Sequence, residues 1–179
     1  DILRQEWQVA KRTSVWFESI TIAQEVKWLL AQDNLEAALK RLRLAQVDID
    51  EANALPLTFI QIFLVQKQYT KALATIANIL GDAEKRALGY RVMHLLIWQA
   101  LAYHGLGQEA QALASLKHAL RLASPEGYVR TFIWAGADLI PLLHQARAAG
   151  IEPDYVNKLL ISMERGYGTP PIEAVPASC

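Results

Sequence analysis

The chain has 179 residues, 53% of them hydrophobic and 20% charged, with Lys+Arg and Asp+Glu both at 18 and a pI near 7.1. That length suits one domain with a substantial core, and a net charge of zero excludes the bulk positive field on which nucleic-acid binders draw. No apolar run reaches the roughly 18 residues needed to span a bilayer, and the lone cysteine, Cys179, cannot close an internal disulfide, which fits a reducing, cytoplasmic setting.

In chain order, residues 1–11 read as the remnant of a helix from a preceding repeat, with Ile2, Leu3, Trp7 and Ala10 inward. No secretory leader is visible, and an opening at Asp1 reads as a piece of a longer protein. Thr13-Ser14 can cap a helix over 16–32, and a second helix follows over 35–46. The acidic stretch 47–56 is turn-like, with Pro56 in the first turn of a helix over 55–66. The spacing predicts further helices over 69–80 and 88–105. The latter, with Val92, Leu96, Gln99 and Tyr103 on one stripe and Leu95, Trp98 and Ala102 on another, is apolar nearly all round and so belongs in the centre. Gly105-Leu-Gly107 breaks it. A helix over 108–123 then turns Ala112, Leu113, Leu116, Ala119, Leu120 and Ala123 inward, and two helices joined by so short a turn fold back on each other. Ser124 and Pro125 are placed to start a helix over 126–135, followed by 137–149, with Pro141 kinking it or sitting in its first turn, and by 153–165 after Gly150. Residues 166–179, with three prolines and two glycines, read as a linker or tail.

The hairpin recurs. An offset of 34 superposes Leu35 on Tyr69, Ala38 on Ala72 and Leu42 on Ile76. An offset of 40 superposes Tyr69 on Glu109, Ala72 on Ala112 and Ile76 on Leu116, with about six extra residues assigned to an insertion at 81–86. A helical hairpin of period near 34, with a small residue in its second helix and a large apolar one four later, is the tetratricopeptide pattern. The expected fold is therefore all-α, a tetratricopeptide-like superhelix of stacked antiparallel helix hairpins over 1–165.

No constellation for chemistry stands out. His94, His104, His118 and His144 contain no i, i+4 pair and have no second cysteine to help them, so a metal site has no support. No phosphate-cradling loop and no strained serine elbow are present. The expectation is no enzyme and no cofactor. A curved stack instead offers a concave face lined by the first helix of each unit. On the central helix that stripe is Tyr90, His94, Ile97, Leu101 and His104, extended by Gln61 and Lys27 at aligned positions of the earlier units. The groove they define is mostly apolar with scattered polar points, the composition of a small-molecule or helix-binding face.

From Ser124 to Phe132 the chain reads Ser-Pro-Glu-Gly-Tyr-Val-Arg-Thr-Phe, with a Leu-Leu helix and Ala-Gly-Ile-Glu-Pro-Asp-Tyr-Val beyond it. With the preceding repeats, this resembles the repeat region of large ATP-binding LuxR-type (MalT-like) bacterial transcription regulators. In that family a nucleotide-binding module comes first, the helical repeats next, and a helix-turn-helix DNA reader last. The resemblance implies a domain that senses an inducer and self-associates, without ATPase or DNA-binding machinery of its own. Its partners would be a small-molecule inducer or a protein or peptide, with neither nucleic acid nor membrane bound directly. The alternative is a generic repeat scaffold that holds a helix or peptide in its groove.

Overall fold

A computed structural model describes residues 20–30, 32, 34–45 and 55–164. The expectations for 1–19, for the acidic turn at 47–54 and for the tail beyond Glu164 lie outside the described residues. All regular structure among the described residues is helical: α1 over 20–30, α2 Leu35–Ala45, α3 Leu55–Val65, α4 Tyr69–Lys85, α5 Gly89–Gly105, α6 Glu109–Ala123, α7 Arg130–Trp134, a 3-10 turn Ala137–Leu139, α8 Ile140–Ala148 and α9 Pro153–Glu164. The residues pack as two compact units, one up to Ile79 and one from Leu80.

In the first unit, Ile22 and Val26 of α1 meet Ala38 of α2 and Ile62 of α3, with Leu29, Leu35, Leu39 and Phe59 packed around them. Asn34 caps α2, its side-chain Oδ1 accepting from the Ala37 N–H at 3.1 Å. Arg41 of α2 pairs with Glu25 of α1. Pro56 sits in the first turn of α3, as its missing N–H and fixed φ favour. Lys71 of α4 reaches over the Phe63 ring of α3, 5.9 Å from its centroid.

In the second unit, α5 and α6 form the central hairpin, and α8 packs against both α6 and α9. Helix α5 is enclosed on most of its circumference, with Val92, Met93, Leu95, Leu96, Ile97, Trp98, Ala100 and Ala102 buried. Ser115 of α6 donates to Gln99 Oε1 of α5 at 2.9 Å, so the part-buried polar groups of both side chains are partnered within the hairpin. The repeat register holds: Ala38, Ala72 and Ala112 are all 0% exposed, and so are Ile76 and Leu116 four residues on.

The repeat length differs from the expectation. Residues 81–86 are no inserted loop; α4 continues through Gly81 to Lys85. Successive helices then end at Lys67, Ala87, Gly107 and Gly127, all with positive φ (57°, 52°, 72° and 67°) and spaced twenty residues apart. At each, the next residue's N–H returns to a carbonyl five residues back: Gln68 to Phe63, Leu88 to Ala83, Gln108 to Tyr103, Tyr128 to Ala123. This is the Schellman closure of a helix C-terminus. The spacing from Tyr69 to Glu109 is thus forty residues because α4 is longer, not thirty-four with an inserted loop.

The same closure overturns the start expected for the next helix. With Gly127 left-handed, Ser124–Gly127 form a turn, and α7 begins only at Arg130 and runs five residues. Pro141 falls in the first turn of α8, after the 3-10 turn. A Cβ added at Gly107 would meet nothing within 4 Å, so substitution there tests the backbone conformation alone. Gly107→Ala is expected to cost about 1 kcal/mol in urea unfolding, the strain of a left-handed alanine.

Helix α7 is held by α9. Phe132, fully buried, meets Tyr155 edge-on at 6.0 Å, and the Tyr155 hydroxyl donates to the Tyr128 carbonyl at 2.5 Å. Burial pushes the Tyr155 phenol above its ordinary value near 10. The folded state therefore favours the neutral hydroxyl; its stabilisation is complete below about pH 10 and is lost as pH rises above it. The unfolding midpoint should fall from about pH 9 to about pH 11 for the parent chain, and Tyr155→Phe should flatten that slope.

Candidate functional site

The i, i+4 spacing of an α-helix stacks side chains one above the other on a single face. On α5 this brings Tyr90, His94 and Trp98 into a ladder, with ring centroids 4.8 Å apart for Tyr90–His94 and 5.3 Å for His94–Trp98. Tyr128, delivered by the turn after α6, adds its ring to Tyr90 at 5.7 Å, edge to face. The ladder is graded in exposure. Trp98 is 8% exposed, His94 is half-buried, and Tyr90 and Tyr128 stand out at 49% and 38%. The result is a fixed aromatic surface with polar tips, since each tyrosine carries a hydroxyl and His94 an imidazole. His94 makes a further interaction within the fold.

The other stripe residues differ. Ile97, expected to line the groove, is 1% exposed and offers no surface. The reason is physical: a helix apolar nearly all round is covered on that side too. Leu101 is half-buried. His104 lies at the opposite end of α5 from Tyr90 and is already engaged: its Nδ1 is 2.8 Å from Glu109 Oε1, whose other oxygen accepts from Gln145 Nε2 of α8 at 3.2 Å. His104 therefore belongs to a bridge from the α5–α6 turn to α8, and the stripe divides into an aromatic end and a hydrogen-bonded end.

Lys27 and Gln61 lie in the first unit, on α1 and α3, both half-buried. Burial lowers the Lys27 pKa from its ordinary value, and its side chain interacts within the fold. The ring set of the second unit forms without either of them.

Sequence reasoning passed over two ring partners. Trp98 was legible, four residues beyond His94. Tyr128 was not, because it arrives through the Ser124–Gly127 turn and no local spacing links it to Tyr90. Among the described residues, no group of three or more His, Cys, Asp or Glu is placed to hold a metal ion. No helix there is long and apolar enough to cross a membrane.

Comparison with known proteins gives one finding. The family model described as the MalT-like TPR region matches residues 1–149. No match was found among curated proteins or among solved structures.

Proposed function

The chain belongs to the MalT-like TPR region family, and from that premise we propose that it is the inducer-sensing and self-associating repeat domain of a LuxR-type transcription regulator. ATP hydrolysis and DNA reading fall to other modules of the parent protein, which works in the cytoplasm. Repeat domains of this type are generally non-catalytic, and this one acts by binding.

The observation that carries the reading is the aromatic set on α5. Tyr90 and Tyr128 leave much of their surface to solvent while touching each other and, through His94, the buried Trp98. Rings held this way are ordered before a ligand arrives, which lowers the entropic cost of binding. Hydroxyl and imidazole tips supply the few convergent polar groups that orient a small molecule on an apolar surface.

The test is Tyr90→Ala with His94→Ala in the full-length regulator, read as the induction ratio of a transcriptional reporter under inducing growth conditions. Two ring contacts worth about 0.5–1.5 kcal/mol each convert to a roughly 5- to 140-fold weaker response. If response and oligomeric state both stay at parental levels with the fold intact, this face is not the site. Self-association has its own arm: Leu101→Glu should shift the sedimentation profile on dilution if the half-buried Leu101 faces a second copy.

A further inference from the structure

The two tyrosines of the aromatic face are held in different ways. Tyr90 sits on α5, where helical spacing stacks it on His94. Tyr128 lies in no helix, standing between the turn that ends at Gly127 and α7, which begins at Arg130. With 38% of its surface open, its ring is steered weakly by packing and takes its direction from its own backbone.

That backbone is fixed on both sides. The Tyr128 N–H returns to the Ala123 carbonyl at 3.3 Å, as part of the closure around left-handed Gly127. The Tyr128 carbonyl is passed over by the next helix, because the Phe132 and Ile133 N–H groups both turn to Val129, at 3.1 and 3.2 Å. Its donor comes instead from 27 residues further along, the Tyr155 hydroxyl on α9 at 2.5 Å. Tyr155 is itself rigidly placed, 8% exposed and edge-on to fully buried Phe132. Peptide units are planar, so a bond at each of the two units flanking Tyr128 fixes its φ and ψ, and with them the direction of its side chain.

We propose that Tyr155 is the positioning residue of the aromatic face: through the Tyr128 carbonyl it aims the Tyr128 ring at Tyr90, while its own ring stays buried. This rests on the sensing role of the face for its functional meaning, but the aiming can be measured without any inducer. The effect resides in one oxygen atom. Phenylalanine at 155 retains a ring edge for Phe132 and loses only the donor.

The experiment compares the full chain with Tyr155→Phe, reading the nuclear Overhauser cross-peak between the Tyr90 and Tyr128 rings. A ring spread evenly over three staggered wells would keep the edge-on pair in about a third of molecules, so the cross-peak is expected to weaken about threefold. The Tyr90–His94 cross-peak, set by spacing along α5, should hold. Ala146→Gly weakens α8 and leaves the hydroxyl in place, so it should lose stability and keep both cross-peaks. In the full-length regulator, induction under the same growth conditions should fall about threefold on Tyr155→Phe, as the competent fraction does. On a Tyr128→Ala background the same substitution should cost nothing further, because no ring is left to aim.

An unchanged Tyr90–Tyr128 cross-peak in Tyr155→Phe, an equal weakening in Ala146→Gly, or an equal further drop in induction on the Tyr128→Ala background would each overturn the proposal. Any of these, with a normal loss of induction for the Tyr90/His94 variant, removes the positioning role and leaves the sensing face. A weakened cross-peak with induction unmoved in both Tyr155→Phe and the Tyr90/His94 variant supports the positioning and removes the sensing reading instead.

Discussion

Leu116→Ala should lower the unfolding free energy by about 2–5 kcal/mol, in the upper half of that range. The residue is 0% exposed on α6, and its buried neighbours on the helix are Ala112, Ser115, Ala119 and Leu120. Three of those four side chains are too short to extend into the space a leucine vacates, so much of the cavity stays open and adds to the lost transfer energy. Leu122, on the same helix but 37% exposed, is the control; its truncation should stay within about 0.5 kcal/mol. Urea denaturation followed by circular dichroism reads both. Equal effects at the two positions would mean that the repeat register, with its small residue and a large one four later, has been assigned to the wrong face.

Phe132→Ala should cost about 3–5 kcal/mol, and its effect should be unevenly spread. Five residues of helix do not hold together without tertiary support, and α7 gets that support from α9 through Phe132 against Tyr155. Removing the ring leaves the edge of Tyr155 facing a void and the Tyr128 carbonyl dependent on one hydroxyl. Amide exchange should accelerate by orders of magnitude across 128–136 while the central part of α5 keeps its protection. Equal acceleration in both would show that the last helices and the α5–α6 hairpin unfold as one body; protection of α7 unchanged from the parent would show that α9 is not what secures it.

The hairpins were legible because burial follows the spacing: the alanines at 38, 72 and 112 stand at matching positions, and all three are fully buried. The length of α4 was not legible. Gly-Asp-Ala-Glu-Lys-Arg looks like a loop, since glycine weakens a helix by about 1 kcal/mol relative to alanine. Tertiary burial wins there, since Ala83 is 1% exposed, and a local i, i+4 pair of Arg86 with Asp82 at 3.4 Å supports the last turn. The face was half legible. Tyr90 and His94 follow from i, i+4 spacing, whereas Ile97 shows that a stripe drawn on a helix predicted to be central cannot also be free. His104 was drawn away by Glu109, five residues on and across a turn, a distance at which helical spacing says nothing.

Turns closed every twenty residues by a left-handed residue also set a unit of change for the chain. Lys67 and Ala87 adopt the conformation that Gly107 and Gly127 adopt at less strain, so the joint depends on backbone hydrogen bonds more than on residue identity, and drift at those sites is tolerated for about 1 kcal/mol each. Gain or loss of five or ten residues would leave a helix ending on the wrong side of its partner. Gain or loss of forty would keep the remaining left-handed turns in their twenty-residue spacing. Inheritance in such a chain is expected to proceed by whole hairpins, with relatives differing in repeat number more readily than in helix length.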